Sequence, residues 1–174
     1  MNDAYLILTV IGDDRPGLVG ELAAAISAHQ GNWLESSMSR LAGKFAGIVK
    51  VAVPAAGVEE LRKSLSSLAG LKVTAEASGD AAEAKGRRLK LSLVGHDRIG
   101  IVREVSQVLA RHAVNVEELE TRTSSAPMSA TLLFHAEAEL LAGPELDARA
   151  LTGDLEQISN DLMVDITLDE TIRV

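Results

Sequence analysis

The sequence lacks several features that define large classes of protein. It has no cysteine, which excludes disulfides and thiol chemistry. Aromatic residues make up only 2% of the chain, so it has few rings on which nucleic acid bases stack. It also lacks an apolar run long enough to cross a bilayer, and its first residues lack the basic region and cleavage site of a signal peptide. We therefore expect a cytoplasmic protein that does not interact with membranes.

The charge balance argues against direct binding of nucleic acid. The net charge is −8, and the second half of the chain is more acidic than the first. Neither half offers the basic face that contacts with a phosphate backbone require. Apolar residues make up 47% and charged residues 24%, which is typical of a globular protein.

Metal ligands and activated nucleophiles are also scarce. The four histidines are too widely spaced for a helical metal motif: His29, His96, His112 and His135. No serine lies in a G-x-S-x-G turn, and the P-loop and dinucleotide fingerprints are missing. We therefore expect no metal, no cofactor and no enzymatic activity.

What the chain does contain is an internal duplication. The stretch Gly12–Val19 recurs 83 residues later as Gly95–Val102. At this offset residues 5–40 and 88–123 share eleven identities, where chance supplies about two or three. The identical residues of the first copy are Leu6, Leu8, Gly12, Asp14, Arg15, Gly17, Val19, Glu21, His29, Asn32 and Glu35.

Each copy has the hydrophobic pattern of a βαββαβ unit. In the first, Tyr5–Ile11 is typical of a strand buried on both faces, and a helix is predicted over Pro16–Gln30 with Asp13 or Asp14 as its cap. The element order favours an antiparallel four-stranded sheet with two helices on one face. The predicted fold class is therefore α+β, as two tandem ferredoxin-like units.

A polar, aperiodic stretch separates the copies. We place the first domain at residues 1–80, a linker at 81–87 and the second domain at 88–174. Open sheet edges invite continuation by another strand, so a homodimer is expected.

The repeated turn joins a strand to a helix N-terminus. Unpaired N–H groups and a partial positive charge suit a small anion there. Asn32 and Asn115 follow Asp14 and Asp97 by 18 residues, and an amide oxygen accepts a hydrogen bond from an ammonium group. An amino acid zwitterion has this polarity. The structural alternative is that the glycines allow close backbone approach and the aspartates cap the helices.

One enzymatic alternative is specific enough to state. Acylphosphatase-like hydrolases share the βαββαβ order and use an arginine and an asparagine. Arg15 with Asn32, or Arg98 with Asn115, would take those roles. The glycine-rich phosphate-cradling turn expected after the first strand is missing, which argues against this activity.

The residues also resemble a known family. Ile11–Val19 followed by Gly31–Glu35 is similar to the signature of ACT domains, small βαββαβ modules that commonly bind amino acids and regulate other proteins. Two such domains in tandem, without a catalytic or DNA-binding domain, resemble the glycine cleavage system transcriptional repressor family. Asn115–Thr123 is similar to the second repeat of that family, and the resemblance covers nearly the whole chain.

This resemblance implies a non-enzymatic regulator that binds a partner transcription factor and responds to glycine or another small amino acid. It implies these ligand-binding residues: Gly12, Asp14, Arg15, Gly17 and Asn32 in the first copy, and Gly95, Asp97, Arg98, Gly100 and Asn115 in the second. The second copy departs from the signature at His96, Ile99 and Val114, so the first loop ranks higher as a binding site. The alternative function is a ligand-free module for protein interaction or oligomerisation.

Overall fold

A computed structural model describes residues 3–79, 85–126 and 131–170. The chain divides into two compact units, Met1–Ala82 and Glu83–Val174. The division falls among residues 80–84, outside the described residues, so the predicted domain boundaries and linker remain predictions there. The first strand of unit 2 begins at Arg87, earlier than predicted, because Arg87 pairs with Ala142.

Unit 1 is a four-stranded antiparallel sheet with two helices. Its strand order is β2-β3-β1-β4. A short 3-10 turn, Ala55–Gly57, connects its third strand to its second helix. Its elements are β1 (Asp3–Asp13), α1 (Leu18–Ala28), β2 (Asn32–Leu41), β3 (Lys44–Pro54), α2 (Val58–Ser66) and β4 (Leu71–Ser78).

Unit 2 repeats this architecture, with strand order β6-β7-β5-β8. Its elements are β5 (Arg87–His96), α3 (Ile101–Arg111), β6 (Asn115–Ser125), β7 (Leu132–Ala142), α4 (Ala148–Leu162) and β8 (Val164–Glu170). The predicted βαββαβ order, the antiparallel sheets and the ferredoxin-like α+β fold class are confirmed in both units. In the sequence, Met128 and Ala130 continue the apolar alternation of Leu132, Phe134 and Ala136, which predicts a longer strand, but both residues lie outside the described residues.

The core of unit 1 lies between its helices and one face of its sheet. Leu6, Leu8 and Val10 alternate along β1 and are almost fully buried in this core. Ile11 points to the other face and is 44% exposed. The prediction that β1 is buried on both faces is therefore wrong, because the helices cover only one face of the sheet.

The helix starts also differ from the prediction. Both α1 and α3 begin after a glycine with positive φ, Gly17 at 93° and Gly100 at 101°. Neither helix has a side-chain cap among the described residues, so the predicted capping by Asp13 or Asp14 is wrong. A non-glycine residue in the left-handed region costs about 1–2 kcal/mol, which explains why this position repeats as glycine.

None of the helices within the described residues has the length and apolar character needed to span a bilayer.

Candidate ligand-binding site

The turn after β1 lines an open depression of about 190 Å³ in unit 1. Asp14, Arg15 and Gly17 form part of its wall, and Phe45 of β3 contributes an aromatic side. The first turn of α1 opens here, and helix geometry leaves its first N–H groups without intrahelical acceptors. Pockets for drug-sized ligands begin at about 300 Å³. The depression therefore suits a small ligand with a negatively charged group.

Arg15 is engaged by its own unit. Its Nη1 and Nη2 donate to the two carboxylate oxygens of Glu21 at 2.6 and 2.7 Å, and Nη2 also donates to the carbonyl of Ala69 at 3.4 Å. The hydrogen bonds with Glu21 raise the pKa of Arg15 and lower the pKa of Glu21. Arg15 thus ties the turn to α1 and to the loop before β4, and its charge is balanced by Glu21.

Asp14 is one of the residues that line the depression. Its backbone N–H donates to the carbonyl of Gly43 at 2.9 Å, which attaches the turn to the β2–β3 hairpin. Its carboxylate lies 2.6 Å from Nε of Arg40, whose side chain is 69% exposed. An exposed arginine can move aside, so the Asp14 carboxylate is accessible to a cationic group.

Gly12 and Gly95 have a packing role. A Cβ on Gly12 would lie 2.3 Å from the carbonyl oxygen of Gly70, and one on Gly95 would lie 2.2 Å from a methyl of Val164. Both contacts are shorter than atoms tolerate, because the last strand of each unit passes directly beside the glycine. These two predicted site residues shape the sheet next to the turn.

Asn32 lies at the other end of the sheet. It pairs with Ala52, which pairs with Tyr5 near the start of β1, whereas Gly12 lies near its end. Seven residue steps along β1 separate Tyr5 from Gly12, about 23 Å at about 3.3 Å per residue. One unit therefore does not bring Asn32 to the turn that contains Asp14.

The same separation holds in unit 2. Asn115 pairs with Leu141, which pairs with Arg88 near the start of β5, while Gly95 lies near its end. The arginine and the asparagine of the hydrolase alternative are thus far apart in each unit. They do not converge on one phosphate, and this geometry argues against that activity.

The unit 2 turn is similar but held less tightly. Asp97 donates its backbone N–H to Leu132 at 2.9 Å, as Asp14 does to Gly43. Arg98 makes a single 3.2 Å hydrogen bond with Glu104 in place of the two between Arg15 and Glu21. Ile99 replaces the proline of the first turn and is 99% exposed. The first turn therefore remains the better candidate.

The roles of Glu21 and Glu104 were not predicted from the sequence. Both lie six residues after the repeated arginine, and both are among the identities of the duplication. A repeated acid at a fixed distance from a repeated base is a signal from which this ion pair could have been predicted. Phe45 carried no such signal, because it lies on a strand distant in sequence.

In the part of the chain that the structure describes, no three His, Asp or Glu side chains come together as metal ligands.

The fold and the turn define a chain of two ferredoxin-like units, each with a candidate anion site at the start of its first helix. The ACT domain family model matches residues 4–76, and so the first unit is an ACT domain. The second unit repeats its fold. This result confirms the predicted resemblance to ACT domains.

The chain is similar to solved structures over nearly its full length. An unknown protein from Galdieria sulphuraria is 29% identical, with 98% of this chain and 100% of that chain covered and a TM-score of 0.88. A candidate glycine cleavage system transcriptional repressor is 15% identical, with 99% and 100% covered and a TM-score of 0.72. The second likeness shows the fold alone. No curated protein sequence matches this chain significantly.

Proposed function

We propose that this protein is a non-enzymatic regulator that binds a small amino acid at the first turn and acts through a partner protein. The observation that carries the proposal is the depression beside Asp14, Arg15 and Gly17 at the N-terminus of α1. Support also comes from the ACT domain match and from the fold shared with a candidate glycine cleavage repressor. The proposed partner is a transcription factor that controls genes for the metabolism of the same amino acid.

The chemistry of the turn assigns each end of the ligand. The ligand carboxylate accepts hydrogen bonds from the first N–H groups of α1, where the helix dipole favours negative charge. The ligand ammonium group lies against the carboxylate of Asp14, in competition with Arg40. Arg15 lines the same depression and positions the turn through its ion pair with Glu21. Glycine or another small amino acid fits the modest volume best.

Asn32 enters this site only from a second copy of the chain, since its own unit holds it at the far end of the sheet. A homodimer that places Asn32 of one copy against the turn of another would complete the polar contacts to the ammonium group. The dimer is part of the proposal.

Calorimetric titration with glycine, serine, and branched and aromatic amino acids tests the ligand. We expect saturable binding of a small amino acid, lost in Asp14→Ala and retained in the matched unit 2 variant Asp97→Ala. Binding of none of these amino acids would contradict the proposal.

A mixing experiment tests the dimer. Alone, Asp14→Ala should not bind and Asn32→Ala should bind weakly, and a mixture should recover sites in which an intact turn meets an intact asparagine. If Asn32→Ala binds as tightly as the unchanged protein, the asparagine has no role in the site.

The pairing of Arg15 with Glu21 favours one alternative, a ligand-free interaction module in which the turn is structural. That function predicts a stable complex with a partner protein whose affinity is the same with and without amino acids. Amino-acid dependence of the complex, measured by surface plasmon resonance, separates the two functions.

A further inference from the structure

Strand β6 is an exposed edge of the unit 2 sheet. It has eleven residues, whereas strands usually have about 5–6. All of them except Ser124 are exposed, and β7 is the only strand paired with β6 among the described residues. An exposed edge strand is a template for pairing with another chain.

One face of β6 is acidic. Across the β6–β7 pair Glu118 lies opposite Glu139, and Glu120 lies opposite Glu137. Like charges directly opposite each other destabilise a sheet. Lys90 of β5 is the only cation that lines the same depression, with Nζ 3.0 Å from Glu137. Arg122 follows Glu120 by two residues and lies on this face as well, so four carboxylates outnumber two cations and leave the face with an excess of negative charge.

The other face of β6 is apolar. Val116 and Leu119 line a cleft of about 30 Å³ against α3, together with Val102. Their exposed fractions are 36%, 49% and 42%. The outer edge of β6 thus lies between an acidic surface and an apolar surface.

Unit 1 shows that the fold does not require this combination. At the equivalent positions of β2 and β3, Glu35 lies opposite Lys50 and Ser37 lies opposite Ile48, so the charges cancel. Trp33 takes the place of Val116 and packs against the core of unit 1. Charge and cleft together are therefore particular to β6.

We propose that β6 binds an extended segment of a partner protein in which basic and aliphatic side chains alternate. The segment adds to the sheet as a further strand, with main-chain hydrogen bonds along the edge. Successive side chains of a strand point to opposite faces. The basic side chains therefore meet Glu118 and Glu120, and the aliphatic ones meet Val116 and Leu119.

A second copy of this chain does not supply such a segment through its equivalent edges. A second β6 carries the same acidic residues, and Arg122 is its only basic residue, so it does not supply a series of alternating basic side chains. On the open face of its sheet β2 carries Glu35, Ser37 and Ser39. It therefore offers no basic side chain to the acidic residues of β6. Charge complementarity favours a different protein, and only the biological role of that protein rests on the proposed function.

The test uses a blocked nine-residue peptide that alternates valine with lysine and NMR of the full chain. We expect saturable shifts of the β6 amides between Glu118 and Thr123, with no shifts between Glu35 and Arg40 of β2. Because the acidic contacts are exposed, added salt should weaken binding. Equal shifts on both edges would overturn the proposal.

Two variants and two control peptides sharpen the test. Losing two exposed charge contacts in Glu118→Gln/Glu120→Gln should weaken binding about tenfold. Glu35→Gln is the matched control and should leave it unchanged. A peptide alternating valine with glutamate should not bind, and one with its lysines and valines in separate blocks should bind more weakly. If the block peptide binds equally, or the double variant retains full affinity, the proposal fails.

The result of the peptide test can be distinguished from the result of the amino acid titration. The Glu118→Gln/Glu120→Gln protein should bind amino acids in calorimetry as the unchanged protein does, since its substitutions lie in unit 2. Leu119→Ser, which introduces the serine that unit 1 has at position 36, should weaken the peptide alone. Unaltered peptide binding by Leu119→Ser would contradict the apolar half of the proposal.

Discussion

Arg15 and Glu21 form a two-bonded ion pair across the first turn, whereas the equivalent Arg98 and Glu104 form one hydrogen bond of 3.2 Å. The first pair also reaches the carbonyl of Ala69, so it joins three segments of unit 1. Duplication has therefore preserved the residues of this contact while its geometry has diverged. The difference gives the first turn the more firmly fixed conformation.

Glu21→Gln should lower the stability of unit 1 in a pH-dependent way. Hydrogen bonding to Arg15 lowers the pKa of Glu21 in the folded protein below its ordinary value of 4.5. The contribution of the pair is thus present above that value and is lost as pH falls through the lowered folded-state pKa. Urea unfolding of the unchanged protein and of Glu21→Gln between pH 7 and pH 3, followed by Trp33 fluorescence, measures this contribution to stability. A difference between the proteins that stays constant over this range would contradict the assignment.

Gly12→Ala should destabilise unit 1 by about 2–3 kcal/mol, because overpacking against fixed backbone carries that cost. The added Cβ would lie 2.3 Å from the carbonyl oxygen of Gly70. Gly20→Ala is the control, since its Cβ meets nothing within 4 Å and it lies in α1. There we expect a gain of about 0.5–1 kcal/mol from helix propensity. Unfolding monitored by Trp33 fluorescence compares the two, and equal effects would refute the packing role of Gly12.

Asp147→Ala should cost about 1 kcal/mol of unit 2 stability, the usual contribution of a helix N-cap. The Asp147 carboxylate accepts hydrogen bonds from the N–H groups of Arg149 and Ala150, each at 3.0 Å. Asp97→Ala is the comparison, because α3 begins after Gly100 without a side-chain cap. Its effect should stay within about 0.5 kcal/mol. Denaturation followed by far-UV circular dichroism distinguishes the variants, and a larger loss in Asp97→Ala would restore the capping prediction.

Glu170→Gln should loosen the last strand. Arg87 donates to both carboxylate oxygens of Glu170, at 3.0 and 3.1 Å, and to the carbonyl of Leu146 at 3.2 Å. This pairing lowers the pKa of Glu170. Amide exchange of β8 should therefore accelerate in the variant at pH 7, while at a pH below the lowered pKa the two proteins should exchange alike. Unchanged exchange at pH 7 would mean that β8 is held by its backbone pairing alone.

Much of the fold was predictable because its signals are local. The alternation of Leu71–Ala77 and the helical spacing of Val58, Leu61 and Leu65 are properties of neighbouring residues. The duplication then assigned the same order to both halves. The predicted capping of α1 by Asp13 or Asp14 was wrong, because aspartate, proline and glycine are all acceptable at a helix start. Only the backbone angle of Gly17 decided which residue precedes the helix.

The candidate site was predictable only in part. The Asp14–Gly17 turn is continuous in sequence, so its position before a helix followed from the pattern. The β6 edge was not identified, because its acidic face depends on β6 and β7 aligning Glu118 with Glu139 and Glu120 with Glu137. Register is a pairing between distant segments, and hydrophobic periodicity does not specify which charges it brings together.

The sequence by itself determined that the chain is duplicated, that each half is βαββαβ and that a repeated turn precedes the first helix of each. Only the tertiary structure decided that Asn32 lies far from Asp14. The physical reason is the path of the chain: α1 returns it to the end of the sheet where β1 began, so the next strand starts opposite Ala52 and Tyr5. The spacing of 18 residues between Asp14 and Asn32 fixes only the length of chain that joins them. The direction of α1 decides how far apart in space the two residues lie.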